Sequence, residues 1–326
     1  MSVAVSKNST NVRLQKKRKP APTSLAIRAA RAGFRVIGPY APSLASSYAE
    51  RLFLSARRHR RPAWERRALA TADERFTIPH DGKRLPAWRW TAGAEGAPTV
   101  LLVHGWEGRG SQMLAFVEPL VKRGFSVVTF DVPGHGDAPS GISSVVEHAR
   151  AVASAGKHLG LLHAVITHSV GGAATLFAMR LGFDAGRLAL IAPPSSPARF
   201  AAGFGVMLGL GEDVLSGMVA RLERRYGLTM ADLVVVPDAE RFTKPLLVVH
   251  DAGDRVVEVA NGQAIANAAP NGRLVTTHGL GHSRVLLAPE VLDAVIPFVA
   301  DGAHTMGLAE ALDAELFNRE QRWERA

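Results

Sequence analysis

Five short apolar runs, at positions 100–103, 127–130, 164–166, 188–191 and 246–249 and broken only by Thr129, set the fold class of this chain. Each has the length of a strand, and a strand without polar alternation is one covered on both faces. A sixth, shorter run lies at 274–276. Amphipathic segments of helical length separate them, which is the pattern of a parallel sheet with helices on both sides. Ahead of these runs, 75–78 and 85–90 read as two strands around Asp81-Gly82, a dipeptide that favours a tight hairpin.

Between Pro193 and Lys244 the alternation stops. The interval is rich in helix-compatible apolar residues, among them Phe204, Met207, Leu215 and Met218. An insertion of that length between two strands is expected to form a helical cap, at about 194–243; an ordinary structural excursion is the other reading. As a cap it makes Phe204 and Met207 candidates for contact with a substrate. Beyond the last strand, 289–299 reads as a helix, and Leu308, Leu312 and Leu316 give the segment 303–326 the stripe of a C-terminal one.

Composition removes several chemistries. The chain has 326 residues, 47% hydrophobic, enough for one large core, and no cysteine, so disulfides, thiolate metal sites, iron–sulfur clusters and cysteine nucleophiles are excluded. The formal charge of +10 is unevenly divided, since residues 1–70 hold 16 Lys and Arg against only Glu50 and Glu65. A basic arm, 1–70, partly disordered or helical, is therefore expected on a mildly acidic body, 71–302. A helix over 24–37 would set Arg28, Arg31 and Arg35 against Ala26, Ala30, Phe34 and Ile37. Two readings stay open for it: peripheral contact with an anionic membrane, or packing on the body with a solvated arginine face.

An Arg-rich leader also resembles an organellar transit peptide. No apolar region of signal-peptide length follows Lys16-Lys17-Arg18-Lys19, and no run approaches the length of a membrane span, so a cytoplasmic location is expected. Basic residues without interleaved aromatics or a reading motif argue against specific nucleic-acid binding.

Polar residues gather where the apolar runs end. The first run leads into His104-Gly105-Trp106, the second into Asp131-Val132-Pro133-Gly134-His135-Gly136, and the third into Thr167-His168-Ser169-Val170-Gly171-Gly172. The fifth leads into His250-Asp251-Ala252-Gly253-Asp254 and the sixth into Gly279-Leu280-Gly281-His282. Reactive groups collect beyond the carboxyl ends of open parallel sheets. A strand that turns at once into a helix holds its turn residue, Ser169, in a strained conformation, and Gly171 lets the backbones pass. The hydroxyl is then exposed above free backbone amides, as acyl transfer requires.

In this order the motifs resemble those of the α/β-hydrolase superfamily, over about residues 74–300. The resemblance implies an α/β-hydrolase fold: a mostly parallel central sheet, helices on both faces and a helical cap insertion. It implies Ser169 as nucleophile, Asp254 as acid and His282 as base, with the backbone N–H groups of Trp106 and Val170 as the oxyanion hole and the Trp106 side chain near the substrate. Thr167 departs from the pattern, standing where G-x-S-x-G has glycine. Asp254 is preferred to Asp251, and His168 is assigned to structure.

The implied activity is that of a serine esterase or lipase, cleaving a small-molecule carboxylic ester through an acyl-enzyme. A thioester, amide, lactone or carbon–carbon bond stays open as the target, as does a non-catalytic binding protein. No cofactor is expected, because Gly105, Gly108 and Gly110 do not make G-x-G-x-x-G; no metal is expected either, because His104, His135 and His250 lack ligand spacing.

Overall fold

Three helices, α1 (Leu25–Ile37), α2 (Pro42–Phe53) and α3 (Ala63–Leu69), precede the sheet in the computed structural model, which describes residues 25–93, 96–196 and 199–301. Strands β1 (Glu74–His80) and β2 (Lys83–Trp90) follow, joined at Asp81-Gly82 with φ of 43° and 71°. Two successive positive φ values give the turn whose twist matches a hairpin, and Asp-Gly adopts it cheaply. Next come β3 (Thr99–Val103), α4 (Val117–Val121), β4 (Ser126–Phe130), α5 (Val145–Leu159), β5 (Leu162–His168) and α6 (Val170–Ala178). Strand β6 (Leu188–Ile191) is separated from β7 (Leu246–Asp251) by α7 (Arg199–Leu208), α8 (Glu212–Tyr226) and α9 (Val236–Arg241). The chain continues through α10 (Val259–Ala268), β8 (Gly272–Thr277), α11 (Gly281–Arg284) and α12 (Pro289–Ala300).

The eight strands form one sheet in the order β1-β2-β4-β3-β5-β6-β7-β8. Strand β2 runs antiparallel to both β1 and β4, and every pair from β4 to β8 is parallel. The apolar runs have a direct cause: on β3, Leu101 and Val103 enter the core on one face while Val100 and Leu102 enter the core on the other. Register brings the strand ends together, with Val103 opposite Thr167, His168 opposite Ile191 and Asp251 opposite Thr277.

The segment between β6 and β7 is helical, and it does not stand alone. Its helices α7 and α8 share a third, smaller core with the N-terminal helices, in which Phe34, Ala45, Ala49 and Leu54 meet Leu208, Val214, Met218 and Leu222. Helices α2 and α8 approach so closely that a Cβ at Gly217 would stand 2.4 Å from Ser46 Oγ. Buried Glu50 on α2 accepts from Arg221 and Arg225 on α8, each at 2.7 Å.

Residues 25–69 are therefore packed structure, and their attachment extends to the sheet. Glu65, on α3, forms a two-pronged ion pair with Arg109 and accepts from Ser111. Arg61 reaches Ser111 and Asp131, and its Nε donates to Asp137 at 3.1 Å. All of these except Asp137 are buried. The arm residues before Leu25 and the C-terminal helix expected over 303–326 lie outside the described residues.

Replacing Glu65 by Ala leaves Arg109 buried without its counter-charge, an arrangement that typically costs about 3–5 kcal/mol. The expected outcome is a large drop in the urea midpoint of unfolding. An unchanged midpoint would show that the ion pair does not hold α3 to the body.

Candidate active site

Ser169 occupies the turn from β5 to α6 with φ 54° and ψ −127°, a conformation that a non-glycine residue keeps only when its surroundings enforce it. The surroundings here are backbone. A Cβ at Gly171 would stand 2.6 Å from His104 O, and one at Gly105 would stand 2.9 Å from Ser169 Cβ. The Ser169 N–H is anchored on Ile191 O at 2.8 Å. Thr167 is accommodated at the glycine position of the motif because glycine stands opposite: a Cβ at Gly172 would meet Thr167 Oγ1 at 3.0 Å.

His282, in the short α11 that follows β8, places Nε2 2.9 Å from Ser169 Oγ and Nδ1 2.7 Å from Asp254 Oδ2. Asp254 lies in the loop after β7, where its Oδ1 accepts the Val256 and Val257 amides at 2.8 and 3.0 Å. Burial works to raise the Asp254 pKa, but the imidazoles of His250 and His282 and the two amides outweigh it and hold the carboxyl well below the usual carboxylate range. An ionised Asp254 makes Nδ1 of His282 the protonated nitrogen and leaves the Nε2 lone pair for the Ser169 hydroxyl. The three side chains thus form one hydrogen-bonded series.

Asp251, the alternative acid, has a different task. It accepts from the Gly253 and Leu280 amides, each at 2.9 Å, and from the Thr277 hydroxyl at 3.1 Å, tying the β7 loop to the loop that carries His282. Asp131 ties its own loop in the same way, accepting the Gly110 and Asp137 amides at 2.8 and 2.7 Å.

His168 has a part that its place in the sequence does not disclose. Its Nε2–H donates to the carbonyl of His282 at 2.9 Å, and the two rings lie 4.8 Å apart. Burial, followed by the charge of His282, lowers its pKa to about 4, so it stays a neutral donor.

Trp106 follows β3, and its indole lies 5.4 Å from His135 and 6.1 Å from His148. These two histidines and His104 form a buried cluster against half-buried Trp106, in which the His104 and His135 rings are 5.3 Å apart. Of the three histidines singled out from the sequence, His104 and His135 meet here; His250 lies beside Asp254 instead, with its Nε2 2.8 Å from Val257 O. His148, on the inner face of α5, was not expected in this group. Each ring of the cluster donates Nδ1–H to a backbone carbonyl: Gly105 for His104, Pro133 for His135 and Ser144 for His148. Burial lowers all three pKa values, that of His148 to about 3.

Phe204 and Met207, expected at a substrate, have their described contacts with the N-terminal helices. The Phe204 ring is edge-on to Phe53 at 5.2 Å, and the Met207 carbonyl accepts from Arg31 Nε at 2.6 Å. These contacts turn this part of α7 toward α1 and α2. No sequence pattern linked the two segments, which lie some 175 residues apart. Among the described residues, His80, Asp81 and Glu147 bring one ligand atom each within 4.8 Å of one another. They lie at the β1–β2 hairpin and the start of α5, outside the Ser169 site, where Arg150 pairs with Glu147 at 3.5 Å.

Residues 100–295, more than half of the chain, match the family model described as the alpha/beta hydrolase family, and the chain belongs to that family. Solved structures agree on the fold. The Pyrococcus furiosus esterase Pf2001 is 18% identical with a TM-score of 0.58, over 75% of this chain and 98% of that one. Est1E from Butyrivibrio proteoclasticus is 20% identical with a TM-score of 0.55, over 70% and 96%. A bromoperoxidase from Bacillus anthracis is 18% identical with a TM-score of 0.52, over 70% and 100%. No curated protein matches the chain by sequence.

Histidines held neutral make the fold acid-labile, because their folded pKa values lie below the unfolded 6.5. Between about pH 6.5 and 4 the unfolded chain binds protons that folded His148 and His168 do not, so stability falls as pH falls, by about 1.4 kcal/mol per unit from each. Urea midpoints measured from pH 7 down to 4 are expected to decline throughout this window. A flat profile would contradict the neutral burial of these rings.

Proposed function

We propose that this α/β hydrolase is a serine esterase that cleaves a small carboxylic ester through an acyl-enzyme on Ser169. The observation that carries the reading is the series from Asp254 to His282 at 2.7 Å and from His282 to Ser169 at 2.9 Å, ending on a hydroxyl held at a strained turn. A serine hydroxyl is a weak nucleophile until a neighbouring base takes its proton. His282 Nε2 is placed to do so, and the Asp254 carboxylate stabilises the resulting imidazolium.

Attack of Ser169 Oγ on the ester carbonyl forms a tetrahedral intermediate whose oxyanion needs donors. The first amide of a helix has no partner inside that helix, which makes the N–H of Val170 available at the head of α6. The N–H of Trp106, on the segment that Gly105 brings against Ser169, is assigned as the second donor. His282 then gives its proton to the leaving alkoxide, the carbon–oxygen bond breaks, and the acyl group stays on Ser169. Water, deprotonated by the same imidazole, attacks the acyl-enzyme and releases the acid. One of the structural neighbours, Pf2001 from Pyrococcus furiosus, bears the name esterase, which agrees with this choice of bond.

Hydrolysis of short p-nitrophenyl esters tests the proposal. Ser169→Ala should lower kcat by about 10⁶-fold and Asp254→Asn by about 10⁴-fold, the first because the nucleophile is gone and the second because the imidazole loses its tautomer. A fluorophosphonate probe should label the wild-type chain and not the Ser169→Ala variant. Undiminished turnover by Ser169→Ala would eliminate the proposal, and a wild-type serine inert to the probe would favour a non-catalytic binding role.

A further inference from the structure

Helix α1 is apolar on two faces. Ile27, Ala30 and Phe34 turn inward onto the small core shared with α8, as the helical period requires. Leu25, Ala29, Ala32 and Val36 form a second stripe on the opposite side, with Leu25 80% and Val36 65% exposed. A helix that only covered a domain would carry polar residues there.

The exposed stripe continues onto neighbouring elements. Ile37 and Tyr40 extend it through the turn, where Tyr40 is 89% exposed, and Leu44 and Tyr48 extend it along the outer side of α2. Arg31 donates to the Val206 and Met207 carbonyls, which brings the exposed side chains of α7 beside α1, Val206 being 79% exposed. Seven of the fourteen large apolar side chains exposed among the described residues fall on these three helices and an eighth, Tyr40, on the turn between two of them, so the surface is a patch and not scattered background.

Charge identifies what it fits. Arg28, Arg31 and Arg35 flank the outer stripe of α1, and Lys16, Lys17, Arg18 and Lys19 precede it in the chain. The only acidic residue before position 65 is Glu50, which is buried and held by Arg221 and Arg225. Exposed Asp213 of α8 lines a hollow with Pro42 and Ser43 at the rim of α2. Tyrosines beside arginines on an apolar face suit the boundary between headgroups and acyl chains, where rings sit at headgroup level and arginine stems reach the phosphates. Among the described residues no helix is long and apolar enough to cross a membrane, so the contact is one of lying on the surface.

We propose that the face formed by α1, α2 and the end of α7 docks this protein on an anionic lipid bilayer. The stripe enters the interface and the arginines pair with acidic headgroups.

Flotation of the full chain with phosphatidylcholine vesicles, with and without phosphatidylglycerol, tests this. Binding should need phosphatidylglycerol and weaken as salt rises, because headgroup attraction is screened. The double variant Val36→Asp with Leu44→Asp should lower the partition coefficient by about tenfold or more, since two apolar side chains no longer enter the interface. Its circular dichroism and its turnover of a soluble short ester should match wild type, which separates this proposal from the reading of Ser169. Failure to float, or equal flotation with neutral vesicles, would overturn it. Flotation unchanged by the double variant would also overturn it, assigning binding to the leading lysines alone. A dimer in sedimentation that the same substitutions dissolve would make the face an interface between copies instead.

Discussion

Helix α6 crosses the end of β3 at backbone distance, and the site depends on that crossing. With 2.6 Å between a would-be Cβ at 171 and the His104 carbonyl, no side chain fits, and only glycine lets the helix start where β5 ends. Ser169 is thereby forced to positive φ, and the strain is carried by strands buried on both sides. The same crossing sets Gly105, and with it the Trp106 segment, against Ser169. The pair of glycines also accounts for Thr167: the room that the usual motif keeps at 167 is supplied from the other side by Gly172.

Buried carboxylates staple the loops at the strand ends. Asp131 after β4, Asp251 at the end of β7 and Asp254 beyond it each accept two backbone amides and at least one side-chain donor. A carboxylate is costly to bury, and several charge-assisted bonds offset the cost while pinning two segments at once. Position decides their different roles. Asp251 spans to Leu280 and aligns the histidine loop, whereas Asp254 is the one whose oxygen meets His282. His168 completes the alignment by holding the carbonyl of the same residue.

The N-terminal helices are bound by two kinds of force. Apolar burial, with the Glu50 ion pairs, joins α1 and α2 to α7 and α8, while buried ion pairs join Glu65 of α3 to the loop after β3 and Arg61 to the loop after β4. Arg61, Glu65 and the backbone of Arg57 reach Asp131, Arg109, Ser111 and Glu107, so the segment that follows Trp106 is gripped from outside the sheet. Arg61 is thus neutralised internally, while Arg28, Arg31 and Arg35 of α1 stay exposed.

Most of the sheet was legible in the chain, because a strand covered on both sides must be apolar at every position and a hairpin must have residues tolerant of positive φ. Every apolar run lies inside a strand, and Ser169, Asp254 and His282 lie at strand ends, where parallel topology collects polar groups. The partners of Arg61 and Glu65, the inclusion of His148 with His104 and His135, and the turning of Phe204 toward Phe53 were not legible. Local pattern is set by how each residue meets its immediate neighbours and water, which periodicity records. Which distant charges neutralise one another, and which faces of two helices meet, depends on distances in space between residues far apart in the chain, and only the tertiary structure decides those.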